Sequence, residues 1–447
     1  TGQVLKRLIR GEDGTVYFVD SGIKLPFTSC GLIEHYGYTC ADVVTLTDSQ
    51  LSTLATGPLV TRLYGTTNGK LFYAENGKKR EVYDMASLVE QGIGTTYNAL
   101  SEAGISHMQY GQPVLRSNVI VGQRGSGYKG LYYNSTLHSL NNGIYEQSVL
   151  ASKLTVAYLD QQSINNLSKA NFDGFITNNA STKQYILTKS GKAEITDPAR
   201  WTASYSTVPD AVLNQLPNDT SSQINNGLVK SPTDGTVYYI VNKQKRPIGG
   251  WDDLLKLNPN PQITEISNDY IARIPTGTRV LGPGSLVKYV NDGTVYLVDG
   301  LNKKIPLTTY AAATDLGIVL RVPTAPDAVL NSYATSNYVL PTRISCNGKN
   351  YIGSINGAHE VTANMQAEFG LSYVALDPMT CANIKLLSTS ASRFLLTPDG
   401  TIYYIESGKK RPFTSYNTFL GYGGGNSIVM PVTAYTAAQL PTGSIAK

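Results

Sequence analysis

The sequence lacks the features that mark membrane-spanning and nucleic-acid-binding proteins. No apolar run approaches the roughly 18 residues needed to cross a bilayer, and the N-terminus shows no charged region followed by an apolar run. Only 15% of the 447 residues are charged, and the net charge of +5 comes from scattered Lys and Arg residues. The sequence therefore predicts no membrane span and no nucleic-acid partner.

Histidine is scarce, and residues that support catalysis or metal binding do not cluster along the chain. The four histidines, His35, His107, His138 and His359, stand far apart. The glycine-rich stretch 421–425 is not followed by the Lys-Ser or Lys-Thr of a phosphate-binding loop. We therefore expect no catalytic, cofactor-binding or metal-binding residues, and we expect that the protein is not an enzyme.

Cysteine is also scarce, and its four copies fall into two local pairs, Cys30 with Cys40 and Cys346 with Cys381. None has the C-x-x-C spacing of zinc or redox sites. Pairing within each local group does not require cysteines that are far apart in sequence to meet in the fold. We therefore predict two disulfides, which are typical of exported proteins. The alternative is four buried free thiols in a cytosolic protein.

Tyrosine and glycine are abundant, with 30 and 42 copies, and one tyrosine-centred pattern recurs along the chain. An aromatic residue flanked by apolar and β-branched residues, typical of a buried strand, returns about every 55 residues. These aromatic anchors are Tyr17, Phe72, Tyr132, Tyr185, Tyr238, Tyr296, Tyr351 and Tyr403. They predict eight tandem repeats, approximately 1–60, 61–118, 119–177, 178–231, 232–281, 282–340, 341–390 and 391–447.

Each repeat has the sequence pattern of a β-hairpin, a short basic strand, a short helix and a further strand. Tight turns with positive φ at glycine are predicted at the Asp-Gly pairs that begin at Asp13, Asp234, Asp292 and Asp399. Proline at Pro26, Pro247, Pro306 and Pro412 cannot donate to a β-ladder, so the basic strand is predicted to lie at a sheet edge or to end there, with its basic residues facing solvent.

Capping residues bound the predicted helices. Helix starts are predicted at Thr28-Ser29, Asp197-Pro198, Thr308-Thr309 and Thr414-Ser415. Helix ends are predicted at Gly37, Gly92, Gly317 and Gly421.

A unit of this size cannot bury its own faces, so the units must pack on one another. We therefore predict an all-β-dominated fold with short helices, in which eight tandem β-hairpin-plus-helix repeats form a β-propeller-like ring. An open repeat array is the alternative. Tyrosines outside the anchors, namely Tyr36, Tyr110, Tyr128 and Tyr422, are expected at protein contacts or against sugars.

The order of motifs within a repeat is distinctive. Pro-Gly-Ser-Leu-Val-Lys at 283–288 is followed by Asp-Gly-Thr-Val-Tyr, and other repeats continue with Gly-Lys-Lys-Arg-Pro-Phe and Leu-Pro-x-Gly. This combination resembles the tandem repeats of bacterial cell-surface and S-layer-type proteins over nearly the whole chain.

The resemblance implies a secreted, non-enzymatic structural protein of a bacterial cell surface. Such a protein is expected to be the subunit of an S-layer-like lattice, filament or appendage, with copies of itself as partners. The alternative is a monomeric adhesin or glycan-binding repeat module, whose partner is a cell-wall or surface glycan.

The two ends of the chain carry the same pattern. Residues 1–6 and 442–447 both read as the opening strand of a repeat, so one of them is expected to lack a partner within eight repeats. An unpaired strand invites pairing with another chain, and we therefore hypothesise an assembly strand at Gly443, Ser444, Ile445, Ala446 and Lys447. The alternatives are a chain cut from a longer array and a disordered tail.

Overall fold

A computed structural model describes residues 7–140, 144–172, 175–178, 183–201, 206–221, 223–355, 357–370 and 372–447. Short strands and short α-helices, 36 and 14 in number, form the regular structure of these ranges. The prediction of a strand-dominated fold with short helices is therefore confirmed. Strand pairing in the same ranges closes neither a barrel nor a propeller, so the eight-repeat ring and the open array both stay predictions.

The described strands form eight small sheets, each made of consecutive strands. The first contains β1 (Leu8–Arg10), β2 (Val16–Asp20), β3 (Ile23–Pro26), β4 (Val44–Thr45) and β5 (Ala55–Thr56), in the order β4-β1-β2-β3-β5. The second contains β6 (Leu63–Thr66), β7 (Leu71–Glu75), β8 (Lys78–Glu81), β9 (Asn98–Leu100) and β10 (Gln109–Tyr110), in the order β10-β8-β7-β6-β9. The third contains β11 (Val119–Gln123), β12 (Lys129–Tyr133), β13 (Thr136–Ser139), β14 (Val156–Leu159) and β15 (Ser168–Asn171), in the order β14-β11-β12-β13-β15. The fourth contains β16 (Phe175–Asn178), β17 (Gln184–Thr188), β18 (Gly191–Ile195) and β19 (Ser206–Val208), in the order β18-β17-β16-β19.

The second half of the chain forms the other four sheets. The fifth contains β20 (Leu228–Lys230), β21 (Val237–Val241), β22 (Gln244–Pro247) and β23 (Thr264–Glu265), in the order β22-β21-β20-β23. The sixth contains β24 (Leu286–Lys288), β25 (Val295–Asp299), β26 (Lys303–Pro306) and β27 (Ala334–Thr335), in sequence order. The seventh contains β28 (Arg343–Cys346), β29 (Lys349–Ser354), β30 (Gly357–Glu360), β31 (Val374–Ala375) and β32 (Leu386–Ser390), in the order β31-β28-β29-β30-β32. The eighth contains β33 (Phe394–Leu396), β34 (Ile402–Glu406), β35 (Lys409–Pro412) and β36 (Val429–Pro431), in the order β35-β34-β33-β36.

Every aromatic anchor lies in the second strand of its sheet, which is hydrogen-bonded on both sides. The boundary predicted between residues 177 and 178 falls inside β16, whose residues pair with β17. The predicted boundary therefore falls within the fourth sheet.

The helices follow the hairpins and cover the sheets. They are α1 (Cys30–His35), α2 (Asp48–Leu51), α3 (Met85–Glu90), α4 (Ile144–Lys153), α5 (Gln161–Asn165), α6 (Asp210–Leu213), α7 (Trp251–Leu257), α8 (Asn268–Arg273), α9 (Tyr310–Asp315), α10 (Asp327–Asn331), α11 (Ala363–Phe369), α12 (Pro378–Cys381), α13 (Tyr416–Gly421) and α14 (Ala434–Ala438). The sequence analysis predicted one short helix per repeat and missed further helices such as α2. A sequence signal for α2 was available, because Thr47 and Gln50 form a reciprocal capping box at its start.

Most of the predicted helix caps are confirmed. Ser29, Thr309 and Ser415 are N-caps whose side chains accept backbone N–H groups of the first turn. Two predictions are wrong. Residues 197–200 form a turn and not a helix, and Gly421 lies inside α13, while Gly423 adopts the positive φ of 80° beyond its end.

The Asp-Gly pairs form turns because the aspartate carboxylate accepts a backbone hydrogen bond from the threonine two residues later. At Asp399 the Thr401 N–H lies 3.1 Å from Oδ1, and this bond contributes to lowering the pKa of Asp399 after the larger effect of the Thr397 hydroxyl. The glycine has φ of 84° at Gly14 and Gly400 and 69° at Gly235. Gly293 is not among the positive-φ glycines, so the predicted conformation is wrong for that turn.

Substitution of Gly400 by valine is expected to lower the free energy of unfolding by about 1–2 kcal/mol or more, since a β-branched side chain resists positive φ. Gly293→Val is the matched control, because its φ is unstrained and no atom lies within 4 Å of an added Cβ. Urea unfolding monitored by tyrosine fluorescence measures both variants. Equal stability of the two variants would contradict the role of positive φ in this turn.

The basic strand was predicted to lie at a sheet edge or to end at its proline. The strands β3, β22, β26 and β35 all end at a proline, and β22 and β35 also lie at an edge, so this prediction is confirmed. The expectation that the basic residues of this strand face solvent is wrong for Lys24, Lys304 and Lys410, which are buried. The ammonium of Lys410 donates to the carbonyl oxygens of Ala437 and Leu440, at 2.6 and 2.8 Å, where α14 ends. The lysine therefore satisfies carbonyl groups that the helix leaves unpaired.

A short closing segment pairs in parallel with this basic strand. Thr56 pairs with Lys24 and Thr276 with Lys245. Each of these Thr-Gly segments therefore pairs with the sheet of its own stretch of chain.

Candidate functional site: the Trp251 groove

The histidines do not form a shared centre. His35 accepts the Asn76 N–H at 3.2 Å, and the ring of His107 lies 4.5 Å from that of Tyr38. His359 contacts Thr389. Among the described residues, no group of three or more His, Cys, Asp or Glu is placed to hold a metal ion.

The loop tyrosines are used inside the protein. Tyr36 is buried and donates to the carbonyl oxygen of Thr61 at 2.6 Å, and burial raises the pKa of its phenol. Tyr110 donates to Asp160 at 2.8 Å, and Tyr422 packs edge-on against Tyr404. Tyr36 therefore belongs to the core, and the expectation that it meets a ligand is wrong.

The four cysteines form two disulfides, Cys30–Cys40 and Cys346–Cys381. The second ties the end of β28 to the end of α12, and both of its cysteines are buried. Two disulfides are typical of proteins outside the reducing cytosol. No helix in the described part of the chain has the length and apolarity required to cross a membrane.

The C-terminal segment predicted for assembly pairs within the chain. Thr442 pairs with Lys410, the Gly443 N–H donates to the Lys410 carbonyl at 2.9 Å, and the Ala446 N–H donates to that of Pro412 at 3.1 Å. It is thus the closing segment of the eighth sheet, and the expectation that it opens a further repeat is wrong. Residues 1–6 lie outside the described residues, and the assembly role stays a prediction.

The feature best suited to bind a ligand is a groove of about 760 Å³ beside α7, here called the Trp251 groove. Its walls come from the start of α7, the segment 279–287, the loop 319–325 and Asn383. A volume of this size is ordinary for small-molecule sites.

An exposed aromatic side chain stands in this groove beside an apolar floor. Trp251 is 61% exposed at the first position of α7 and is one of two tryptophans in the chain, while Trp201 is buried. Leu281, Leu286 and Val298 form buried parts of the lining. An indole held open to solvent offers a flat apolar face and an N–H donor at the same place.

Charged groups line the same groove. Asp252 pairs with Arg321 across the groove. Asp253 accepts the Gly282 N–H at 2.8 Å and lies 3.5 Å from the Arg279 guanidinium. Lys256 also lines the groove, and burial lowers the pKa of its ammonium group.

Two glycines permit this arrangement. A Cβ at Gly249 would lie 1.7 Å from a guanidinium nitrogen of Arg279, so the guanidinium can rest there only because residue 249 has no side chain. A Cβ at Gly282 would lie 2.9 Å from the Cβ of Lys256. The close approach of α7 to segment 279–287 therefore depends on both glycines.

Trp251 was missed in the sequence, although its rarity was a usable signal. It follows Gly249 and Gly250 where other repeats have capping residues. The other walls could not be found, because Asn383, which donates to the Lys256 carbonyl at 2.8 Å, is 127 residues away in sequence.

No protein-family model matches the chain, and no curated protein matches it. Among solved structures, the periplasmic assembly of the ESX-5 inner membrane complex is 11% identical with a TM-score of 0.13, covering 76% of this chain and 93% of that one. The intact ESX-5 inner membrane complex is 12% identical with a TM-score of 0.13, at 76% and 81% coverage. The EccB3 dimer of the ESX-3 core complex is 10% identical with a TM-score of 0.11, at 86% and 98% coverage. Evidence about function therefore comes from this chain's own residues.

Proposed function

We propose that this chain is a non-enzymatic protein of a bacterial cell surface, built from eight tandem repeats, that binds saccharides through the Trp251 groove. Two disulfides support a location outside the cytosol, and the repeat motifs support the cell surface. This proposal corresponds to the glycan-binding module, which the sequence analysis gave as the alternative to a structural surface protein.

The exposed indole of Trp251 is the observation that carries the proposal. A sugar ring has one apolar face and a rim of hydroxyl groups, so it can pack on an indole while its hydroxyls bond to neighbouring polar groups. Asp252, Arg279 and Asn383 line the same groove and supply acceptors and donors. An exposed tryptophan without such neighbours would fit an apolar protein contact better.

Replacement of Trp251 by alanine is expected to weaken saccharide binding about tenfold or more, since aromatic anchors dominate the binding energy of such sites. Tyr310→Ala is the matched control, because Tyr310 is the first residue of α9, is 49% exposed and is not part of the groove lining. Binding of both variants to arrayed bacterial surface oligosaccharides, followed by calorimetry on the strongest ligand, measures the effect.

Two results would count against a saccharide groove. One is wild-type affinity in the Trp251→Ala variant. The other is a wild-type protein that binds no arrayed saccharide but binds a host or bacterial protein, which would make the groove a protein-docking surface.

Self-assembly into an S-layer-like lattice, filament or appendage is the second candidate function. Ile445, in the segment predicted for assembly, leaves an apolar side chain 47% exposed. Pairing with other copies would cover this side chain, and the segment 443–447 is then the contact to test.

Deletion of residues 443–447 is expected to lower the free energy of unfolding by about 1–2 kcal/mol, because two backbone hydrogen bonds to β35 and the buried Ala446 are lost. Thermal unfolding measures this effect, and light scattering of the native protein measures assembly. Large assemblies formed by the full chain and absent from a folded deletion variant would support assembly through this segment. Unchanged assembly would rule the segment out as the contact.

A further inference from the structure

The Trp251 groove is lined by more cationic than anionic side chains. Its lining contains three cationic side chains, Lys256, Arg279 and Arg321, and two carboxylates, Asp252 and Asp253. The Asp252 carboxylate is paired with Arg321, and both oxygens of Asp253 are engaged, one by the Gly282 N–H and one by Arg279. Each carboxylate therefore already has a cationic partner within the protein, through both oxygens engaged at Asp253 and one at Asp252.

Two cationic side chains of the groove have N–H donors that these pairs do not use. Lys256 has no ion pair or hydrogen bond from its ammonium group to any described residue. The Nε atom of Arg279 is buried and also lacks a hydrogen-bond partner among the described residues. A buried donor without a partner, such as Arg279 Nε, costs free energy, and Lys256 and Arg279 both line a cavity that is open to a ligand.

We propose that the Trp251 groove selects acidic saccharides, with the sugar ring on Trp251 and its anionic group bound by Lys256 and Arg279. This inference rests on the proposed saccharide-binding function and specifies the class of ligand. A guanidinium and an ammonium that line the same groove are suited to an oxyanion. Carboxylate and sulfate groups share that chemistry, and a neutral sugar would leave the Lys256 ammonium without an anionic partner.

The experiment compares matched ligands. Tri-galacturonic acid carries carboxylates, its methyl ester has the same rings without charge, and a sulfated galactose trisaccharide carries sulfate instead. Calorimetry with the full chain is expected to show at least tenfold tighter binding of an acidic ligand than of the methyl ester. Tighter binding of the carboxylated or of the sulfated ligand identifies which anionic group is recognised.

Substitution of Lys256 by methionine is expected to reduce the preference for the acid over the ester by about tenfold, and raised salt is expected to reduce it in the wild type. Lys409→Met removes the same charge from an exposed position on β35 and is expected to leave the preference intact. Thermal unfolding checks that Lys256→Met is folded. Gly249→Ala is a second variant, since the added Cβ must displace the Arg279 guanidinium.

The outcomes separate the two proposals. Equal binding of acid and ester, unchanged in Lys256→Met, overturns the selection for acidic saccharides and leaves saccharide binding in place. Binding of none of these ligands, together with no hit among arrayed saccharides, overturns both.

Discussion

Replacement of Glu81 by alanine is expected to lower the free energy of unfolding by about 3–4 kcal/mol. The Glu81 side chain, 1% exposed at the end of β8, accepts the Asp160 N–H at 2.8 Å and the Ser163 hydroxyl at 2.6 Å. Its other oxygen lies 2.8 Å from the Arg124 guanidinium. Alanine would leave the Asp160 N–H and the Ser163 hydroxyl without their partner in a buried place, while Arg124 keeps its pair with Asp160 at 2.9 Å.

Urea unfolding measures this loss, and Glu75→Ala is the control. Glu75 is in the same sheet and pairs with Arg62 and Arg80 at 2.8 and 2.7 Å, but its side chain is 35% exposed. Its replacement is expected to cost within about 1 kcal/mol, because exposed ion pairs contribute little. Similar losses for the two variants would show that Glu81 does not join the second and third sheets in the way described.

The Glu81 contact is one of a set in which a carboxylate of one sheet accepts hydrogen bonds from a later stretch of chain. Asp20 accepts the Ser101 N–H at 2.6 Å. Asp299 accepts the Asp377 N–H at 2.8 Å, at the start of α12. Side-chain bonds of this kind hold neighbouring sheets together where strand pairing does not.

Replacement of Lys410 by methionine is expected to lower the free energy of unfolding by about 2–3 kcal/mol. Methionine keeps the apolar stem but cannot donate to the Ala437 and Leu440 carbonyls, which then remain unpaired near the end of α14. Burial lowers the pKa of Lys410, so its ammonium is held in a site where these two bonds offset lost hydration. The ring of Tyr403, whose centroid lies 5.7 Å from the ammonium nitrogen, adds a weak attraction.

Lys409→Met is the adjacent control, since Lys409 is exposed in the same strand. Its stability is expected to stay within about 0.5 kcal/mol of the parent. Amide hydrogen exchange adds a local readout, because Lys410→Met should speed exchange in α14 before other helices. Equal effects of the two substitutions would mean that the carbonyl contacts contribute nothing to stability.

Local patterns in the sequence predicted local structure well. The anchors such as Tyr17 lie in central strands, and caps such as Ser29 start helices, because strand pairing and capping depend on residues close in sequence. Short second helices such as α2 were missed because four residues show no helical periodicity.

Contacts between distant residues could not be predicted from these patterns. Lys410 reads as a solvent-facing strand residue until the carbonyls 27 and 30 residues later are placed above it. Glu81 meets Asp160 across 79 residues. The walls of the Trp251 groove are brought together by such long-range contacts. The sequence therefore suggested a glycan-binding module as an alternative function but did not locate this groove.

The closing segments have a consequence for how such a chain can change during evolution. Each sheet is completed by a segment from its own stretch of chain, so the described sheets share no strand. A gene duplication or deletion that adds or removes one whole stretch therefore cuts no β-ladder. Contacts between stretches must still be rebuilt, such as the side-chain bonds of Glu81 and the backbone bond from the Gly408 N–H to the Glu368 carbonyl. The number of such sheets can then vary by recombination more readily than in a fold whose neighbouring sheets exchange strands.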